Sequence, residues 1–166
     1  MRDPQTPTLG NPRGDVTIVE FFDYQCPYCK ANEETVQKLL GQDKKLRIAF
    51  KDLPLLGPGS VAAAHAALAA RLQDKYDAFR LVMMNMKGEL SESSVFVVAK
   101  AVGLDLDRLK KDMQAPAIDK QLQDNLALAR ALDISGTPTF VVGSQIVEGA
   151  IDLPGMQELV ADARKK

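Results

Sequence analysis

The sequence has few of the residues that usually hold metals or staple small domains together. Its 166 residues include two cysteines, one histidine and no tryptophan. A structural zinc site needs four ligands, so two cysteines and a distant His65 argue against one. A chain of this length can bury a full core without disulfides, and a loop closed between neighbouring cysteines would stabilise little. The two cysteines therefore need a chemical explanation rather than a structural one.

The sequence also lacks an excess of charge and any long apolar run. It has 21 basic and 22 acidic residues and a net charge of −1. Proteins that bind nucleic acids or membrane surfaces usually carry a basic excess, so the composition argues against both kinds of partner. No stretch approaches the ~20 apolar residues of a membrane-spanning helix. The composition, 46% apolar and 26% charged, is that of an ordinary globular chain.

The start of the chain, MRDPQTPTLGNPRG, is polar and rich in proline and glycine. It has no apolar stretch of the kind found in a signal peptide. Two interpretations stay open: a cytosolic protein, or the mature form of an exported protein whose leader has been removed. We predict an extended lead-in over residues 1–14.

Both cysteines lie in the stretch VEFFDYQCPYCKANEE, residues Val19 to Glu34, with two residues between them. The preceding segment, DVTIVEFFDY, is rich in Val, Ile and Phe and predicts a buried strand that ends near Asp23. The segment CPYCKANEETVQKLLGQ has the apolar spacing of a helix, and KLRIAFKDLPLL predicts a second strand. The first part of the chain therefore predicts a strand–helix–strand unit.

The middle of the chain, residues 60–132, is predicted to be helical, with Ser60 and Ser91 as candidate N-caps. The segments TPTFVVG and QIVEGA then predict a hairpin with Gly143 and Ser144 in its turn, and a helix closes the chain. The predicted order is βαβ, a helical insertion and ββα. The fold class is therefore α/β.

The position of the CPYC turn gives its two thiols different environments. Cys26 lies where the strand gives way to the helix, at the N-cap or in the first turn. Unpaired N–H groups and the helix dipole favour a negatively charged sulfur there, so Cys26 is the expected nucleophile. Cys29 lies one turn further in, shielded, as suits a resolving thiol, and Pro27 occupies a first-turn position that tolerates a missing N–H. A redox dithiol is the leading interpretation, with a fortuitous pair as the alternative.

Together, the motifs VEFFDYQCPYCK and ISGTPTFVVG resemble the thioredoxin superfamily, and the helices between the two halves resemble its DsbA-like branch. Within that branch, GNPRGDVTIVEFFDYQCPYC is most similar to the ScsC/Com1-like periplasmic proteins. The resemblance covers nearly the whole chain from about Gly10. It implies a thioredoxin-like fold in which residues 15–59 and 133–166 form the thioredoxin-like domain and residues 60–132 form an inserted helical domain.

The resemblance also implies a role for individual residues. Cys26 matches the family's nucleophile, Cys29 its resolving cysteine, and Pro138 a proline held in the cis form opposite the CPYC turn. The backbone of Thr137 would then be free to pair with an extended substrate chain. Glu20 matches a buried acidic residue, which could accept the proton that Cys29 loses during resolution.

Three of these residues also have plainer interpretations. Glu20 could form a salt bridge within the sheet, with Lys51 as the candidate partner, and Pro138 could be an ordinary trans proline. Tyr28, which we count with Pro27 among the candidate substrate contacts, could simply cover the dithiol. Many DsbA oxidases carry histidine between the cysteines, and tyrosine there removes one cation that would stabilise a thiolate.

Two further features suggest ligands but favour structural interpretations. His65 lies in the Ala-rich stretch AAAHAALAA and is interpreted as a helix-surface or packing residue. Met83, Met84 and Met86 suggest a copper site, but methionines at helical spacing usually fill gaps in a core. We predict no cofactor and no resident metal.

The leading functional prediction is a protein thiol–disulfide oxidoreductase that works through the CPYC dithiol. Its partners would be unfolded or cysteine-containing proteins and a redox partner that resets the dithiol, and the resemblance implies a periplasmic location. One alternative is a disulfide isomerase or reductase that oligomerises through a missing N-terminal stalk. Another is a copper-tolerance protein that binds Cu(I) through both thiolates. Because nothing before Asp15 has helical periodicity, we predict a monomer.

Overall fold

A five-stranded sheet forms the centre of the protein, whose computed structural model describes residues 3–165. The strands are β1 Thr8–Gly10, β2 Val16–Phe22, β3 Leu46–Asp52, β4 Thr139–Val142 and β5 Gln145–Glu148. Their spatial order is β1-β3-β2-β4-β5. The pair β2 and β3 is parallel, and the other neighbours are antiparallel.

Seven helices complete the described part of the chain. They are α1 Pro27–Gln42, α2 Pro58–Ala70, α3 Tyr76–Asn85, α4 Glu92–Ala101, α5 Leu106–Met113, α6 Pro116–Ala131 and α7 Leu153–Arg164. A short 3₁₀ turn, Arg71–Gln73, follows α2. The observed order is therefore βαβ, helices and ββα, as the sequence predicts. The division into two domains stays a prediction.

The alternation of side chains along β2 gives the sheet two packed faces. Ile18 and Phe22 belong to the large core that includes residues of α1 and α7. Val19 and Phe21 belong to a smaller cluster with Ala129 of α6. Since Glu20 has the same parity as Ile18 and Phe22, its side chain is on the face covered by α1. This placement brings a carboxylate under the helix that carries both cysteines.

The prediction of an extended lead-in without secondary structure was incomplete. The predicted lead-in over residues 1–14 contains a strand, β1, which pairs antiparallel with the outer edge of β3. A bare edge offers unpaired N–H and C=O groups, which explains why so short a segment is ordered there. Residues 1, 2 and 166, which fall in the predicted lead-in and thioredoxin-like domain, lie outside the described residues.

Ser60 does not cap α2, so that prediction was wrong. The helix begins earlier, at Pro58, with Gly57 as its N-cap, because proline fits the first turn and Gly57 supplies a φ of 104°. Ser60 is buried inside the helix. The predicted cap at Ser91 is confirmed, since its side chain accepts a hydrogen bond from the Ser94 backbone.

The helices between β3 and β4 pack around the Ala-rich α2. Because the side chains of α2 are small, the neighbouring segments pack close to its backbone, and most of its residues are buried. The approach is closest at Gly59, where an added Cβ would lie 2.1 Å from the Leu90 carbonyl oxygen. Among the helices of residues 3–165, none is both long and apolar enough to cross a membrane.

The close approach at Gly59 can be tested with a single methyl group. We expect Gly59→Ala to lower the free energy of unfolding by ~1–3 kcal/mol, because the backbone around Leu90 has to move. Gly41→Ala is the matched control. Gly41 lies in α1, and no atom of residues 3–165 outside its own helix backbone and chain neighbours lies within 4 Å of an added Cβ, so the same change should stabilise by up to ~1 kcal/mol. Urea unfolding measures both, and equal effects of the two substitutions would contradict the packing argument.

Candidate active site

Cys26 is the N-cap of α1, and Pro27 follows it as the first helical residue. The Cys26 backbone is extended, with φ −68° and ψ 116°, and its side chain makes no capping hydrogen bond. The first turn of a helix has unpaired N–H groups, and the dipole adds partial positive charge there. A thiolate on Cys26 would therefore be stabilised by the helix, as the sequence analysis expects.

Cys29 lies one turn further along α1 in a closed environment. It is 0% exposed, against 4% for Cys26, and both are free thiols. Burial raises the pKa of Cys29 well above its usual range, while hydrogen bonds with the Asp23 backbone and the Thr137 side chain act in the opposite direction. Because burial outweighs them, Cys29 stays protonated unless a base takes its proton.

The loop before β4 contacts the CPYC turn. The Thr137–Pro138 peptide bond is cis, as the resemblance implied. The Cys26 thiol donates a hydrogen bond of 3.2 Å to the Thr137 carbonyl oxygen. Cys26 and Thr137 are 111 positions apart in the sequence, so this hydrogen bond brings the two sequence motifs into contact. The roles of Thr137 and Pro138 in binding a substrate stay predictions.

Asp23, which the sequence analysis did not select, holds the turn in place. Its buried carboxylate accepts hydrogen bonds from the backbone N–H groups of Gln25, Leu55 and Leu56, at 2.7, 2.7 and 3.0 Å. The Ser60 hydroxyl donates a fourth bond of 2.6 Å. The signal for this role was available, because an aspartate at the end of a strand commonly bonds the backbone two residues on.

Glu20 is 1% exposed and faces Arg80 rather than Lys51. Its Oε2 lies 3.5 Å from Nη2 of Arg80. The suggested pair with Lys51 is wrong. The Lys51 side chain donates instead to the Thr6 hydroxyl at 2.8 Å, in the segment that leads into β1. Burial raises the pKa of Glu20 to about 7, Arg80 opposes this, and the neighbouring charge of Glu33 adds to it.

Arg80 and Glu33 complete a buried ionic cluster that sequence reasoning missed. Nη1 of Arg80 donates to Oε1 of Glu33 at 2.8 Å and lies 2.8 Å from its Oε2. The guanidinium carbon lies 3.8 Å from the centre of the Phe50 ring and 5.0 Å from that of Phe22. Aromatic faces attract guanidinium groups, which helps to hold Arg80 in this buried position.

A third carboxylate, Asp52, lies at the end of β3 in the same region. It is 1% exposed, and neither side-chain oxygen has a hydrogen-bond partner among residues 3–165. Burial raises its pKa to about 7, against the opposing charge of Arg80. Asp52 is therefore a second buried carboxyl that changes protonation state near neutral pH.

The outer surface of the turn is apolar and exposed. Tyr28 is 67% exposed, and Pro27 beside it is also exposed. Leu55 and Leu56 are about half exposed, and the Leu56 carbonyl accepts a 3.0 Å hydrogen bond from the Gln25 side chain. Most of the Tyr28 side chain is therefore exposed to solvent, and both its contact with a substrate and its covering of the dithiol stay predictions.

The remaining candidate ligands of the sequence analysis have structural partners. His65 on α2 hydrogen-bonds the Val61 carbonyl and the Asp119 carboxylate of α6, at 2.9 and 2.7 Å. Met83 and Met84 are buried in the core, as predicted. Within residues 3–165, no group of three or more His, Cys, Asp or Glu side chains is arranged to hold a metal ion. Binding of Cu(I) by the two cysteines alone stays a prediction.

The burial of Asp52 predicts a pH-dependent gain of stability on substitution. An Asp of ordinary pKa 3.8 in the unfolded chain binds its proton less tightly than folded Asp52, whose pKa is about 7. The stability that this carboxyl contributes is thus present below pH 4 and lost as the pH rises to about 7. Asp52→Asn should therefore stabilise the protein at pH 8, by on the order of 1–4 kcal/mol, and have little effect at pH 4. Urea unfolding at both pH values measures this, and equal effects at the two would refute it.

A family model described as the DSBA-like thioredoxin domain matches residues 17–161. A thioredoxin-like oxidoreductase from Silicibacter pomeroyi DSS-3 is similar, with 46% identity, a TM-score of 0.97, and coverage of 99% of this chain and 95% of that chain. The catalytic domain of Proteus mirabilis ScsC is also similar, with 30% identity, a TM-score of 0.90, and coverage of 99% and 92%.

Curated relatives include much larger proteins. The chain is 30% identical, over 97% of its length, to the Na⁺/H⁺ antiporter NhaA 1 of Salinispora arenicola (strain CNS-205), of which it covers 25%. The chain thus spans about a quarter of the length of the first curated relatives that it matches. Since the family model covers most of the chain, and a solved relative matches it nearly end to end, the chain belongs to the DSBA-like thioredoxin domain family.

Proposed function

We propose that this chain is a thiol–disulfide oxidoreductase that exchanges disulfides with cysteine-containing proteins through Cys26 and Cys29. The observation that carries the proposal is the asymmetry of the pair. Cys26 lies at the helix N-terminus, next to the Thr137 carbonyl, while Cys29 is fully buried, which raises its pKa. This arrangement provides one thiol for attack and a second for resolution.

In the reducing direction, the Cys26 thiolate attacks one sulfur of a substrate disulfide. The substrate S–S bond breaks, its other sulfur leaves as a thiolate that takes up a proton, and a mixed disulfide with Cys26 forms. Cys29 then loses its proton and attacks the Cys26 sulfur, which releases the second substrate thiolate. Two electrons pass from the dithiol to the substrate, and the oxidising direction is the reverse.

Glu20 is the proposed acceptor of the Cys29 proton. The proposal is supported by its burial on the α1 face of β2 and by a pKa of about 7, at which both protonation states are accessible near neutral pH. A general base works best when its pKa lies near the working pH. The carboxyl can therefore take up the thiol proton during resolution and return it in the reverse step.

The substrate would lie across the CPYC turn and the loop before β4. The backbone of Thr137 would pair with the substrate backbone, and Pro138, Pro27 and Tyr28 would contact the substrate beside it. The proposal is supported by the exposed, apolar surface of this turn, because unfolded proteins present apolar side chains. No cofactor takes part in this chemistry.

The biological setting belongs to the proposal as well. We propose a periplasmic location and a redox partner that resets the dithiol, as the resemblance to ScsC-like proteins implies. The direction of exchange is decided by comparing oxidation of a reduced protein, reduction of a disulfide and rescue of a scrambled protein. A monomer should oxidise or reduce better than it isomerises.

The two cysteines should differ in reactivity. At mildly acidic pH, iodoacetamide should modify Cys26 of the reduced protein before Cys29, because Cys26 is at the helix terminus and Cys29 is buried and protonated. Mass spectrometry of peptides locates the label. The Cys29→Ser variant should accumulate a mixed disulfide with a substrate peptide, while Cys26→Ser should not. Preferential labelling of Cys29 would reverse the assignment.

Removal of the Glu20 carboxyl should slow resolution and spare the first attack. At neutral pH, Glu20→Gln should reduce the rate of substrate release from the mixed disulfide by on the order of 10²-fold, the usual contribution of a general base. The difference should shrink at high pH, where hydroxide deprotonates Cys29. The matched control is Glu34→Gln, since Glu34 is exposed on the same helix. An unchanged release rate in Glu20→Gln would reduce Glu20 to a structural residue.

A further inference from the structure

Four charged side chains from four different elements meet beneath the CPYC turn. Glu20 comes from β2, Glu33 from α1, Asp52 from β3 and Arg80 from α3, and each is at most 3% exposed. Arg80 is within 4 Å of two of these carboxylates, Glu20 and Glu33, and its charge also acts on Asp52. If all three were ionised, the buried cluster would carry a net negative charge, which low polarity strongly disfavours.

Arg80 lies closer to one of its two nearest carboxylates than to the other. Its Nη1 is within 2.8 Å of both oxygens of Glu33, whereas the nearest distance to Glu20 is 3.5 Å, from Nη2. Nη2 and Oε2 of Glu20 both lack a hydrogen-bond partner in the described structure. Arg80 is thus bound closely to Glu33 and only loosely to Glu20, and the aromatic ring of Phe50 fixes the guanidinium between them.

The cluster is connected to the dithiol through α1. Cys29 and Glu33 are four residues apart on this helix, and both are buried, so they lie on one face, one turn apart. Below Cys29 on this face, Glu33 contacts Arg80, and Arg80 lies 3.5 Å from Glu20. Any change in the charge of one of them is felt by the next, because the region is closed to water.

We propose that Arg80 is a positioning residue for the proton transfer that accompanies disulfide exchange, an inference that rests on the function proposed above. Through its close pair with Glu33 and its loose contact with Glu20, Arg80 keeps the Glu20 carboxyl free to take up a proton and to return it. A full ion pair with Glu20 would hold that carboxyl ionised. Without the cation, burial would keep it protonated.

The electrostatics of the region agree with this geometry. Burial has the largest effect on the pKa of Glu20 and raises it; Arg80 lowers this pKa, and Glu33 raises it further. The other titratable or charged groups of the region are Asp23 and Tyr24 after β2, Cys29 on α1, Lys51 and Asp52 on β3, and Tyr76 and Asp77 on α3. Burial raises the pKa of Tyr24 and Tyr76 well above the usual range, so both stay neutral while Glu20 titrates.

The inference predicts that two substitutions shift the titration of Glu20 in opposite directions. Glu33→Gln removes a negative neighbour and frees Arg80 for Glu20, so the titration midpoint should fall by about one pH unit. Arg80→Lys replaces the planar, stacked guanidinium with a point charge that cannot serve both carboxylates, so the midpoint should rise. Two variants are needed because Arg80→Lys disturbs a buried charge and can fail to fold, whereas Gln closely matches Glu33 in shape.

Two measurements report the protonation of the Glu20 carboxyl. Infrared spectroscopy detects the carbonyl band of a protonated carboxyl, and Glu20→Gln and Asp52→Asn assign the bands of Glu20 and Asp52. The pH profile of substrate release from the mixed disulfide reports the proton transfer itself. Glu34→Gln and Arg108→Lys are the matched controls, since both residues are exposed, and neither should move the band or the profile.

We expect the titration midpoint of the Glu20 infrared band and the midpoint of the release profile to shift together. Both should fall in Glu33→Gln and, where the variant folds, rise in Arg80→Lys. A band that moves while the release profile stays fixed would overturn the positioning role. So would a fixed band in Glu33→Gln, whatever the stability of that variant. Failure of the parent protein to exchange disulfides would refute the proposed function itself, which is distinguishable because the parent is measured first.

Discussion

Burial of charge beneath the CPYC turn is the constraint on which the site depends. Taking an ion out of water costs several kcal/mol unless it is paired, and one guanidinium cannot pair with three carboxylates. The cluster of Glu20, Glu33, Asp52 and Arg80 therefore holds exchangeable protons near neutral pH. The same exclusion of water raises the pKa of Cys29, whereas Cys26 lies at the helix N-terminus beside the Thr137 carbonyl. One closed environment thus separates the tasks of two thiols in a single helical turn.

Most of the fold could be predicted from the sequence because its signals are local. The apolar runs around the CPYC motif, the Gly143 turn and the helical spacing between them each predict one element, and their order predicts the architecture. The strand β1 could not be predicted, because three residues carry no alternation and its order comes from the free edge of β3. The start of α2 was misplaced because Ser60 competes with Pro58 as a signal, and the hydroxyl of Ser60 bonds Asp23 instead.

Some residues of the candidate site could likewise be predicted from the sequence, and others could not. Cys26, Cys29 and the cis bond at Pro138 were accessible through short motifs, whereas the ionic cluster joins residues that are far apart in the chain. A signal for Arg80 was nevertheless present. Tyr76, Phe79, Arg80 and Met83 follow the spacing of a buried helix face, so a charged residue stands where the pattern requires an apolar one. Such a violation indicates a buried partner of opposite charge, but only the fold identifies it.

The helices between β3 and β4 are joined to the dithiol by polar contacts as well as by packing. Arg80 of α3 pairs with Glu33, the Lys30 side chain donates to the Met86 carbonyl, and the Gln25 side chain accepts from the Leu90 backbone. Hydrogen bonds of this kind are directional, so each one fixes the orientation of the segment relative to α1. The helical segment therefore cannot shift without disturbing the turn that carries Cys26. It is for this reason part of the candidate site, since it supplies the cation that lies between Glu20 and Glu33.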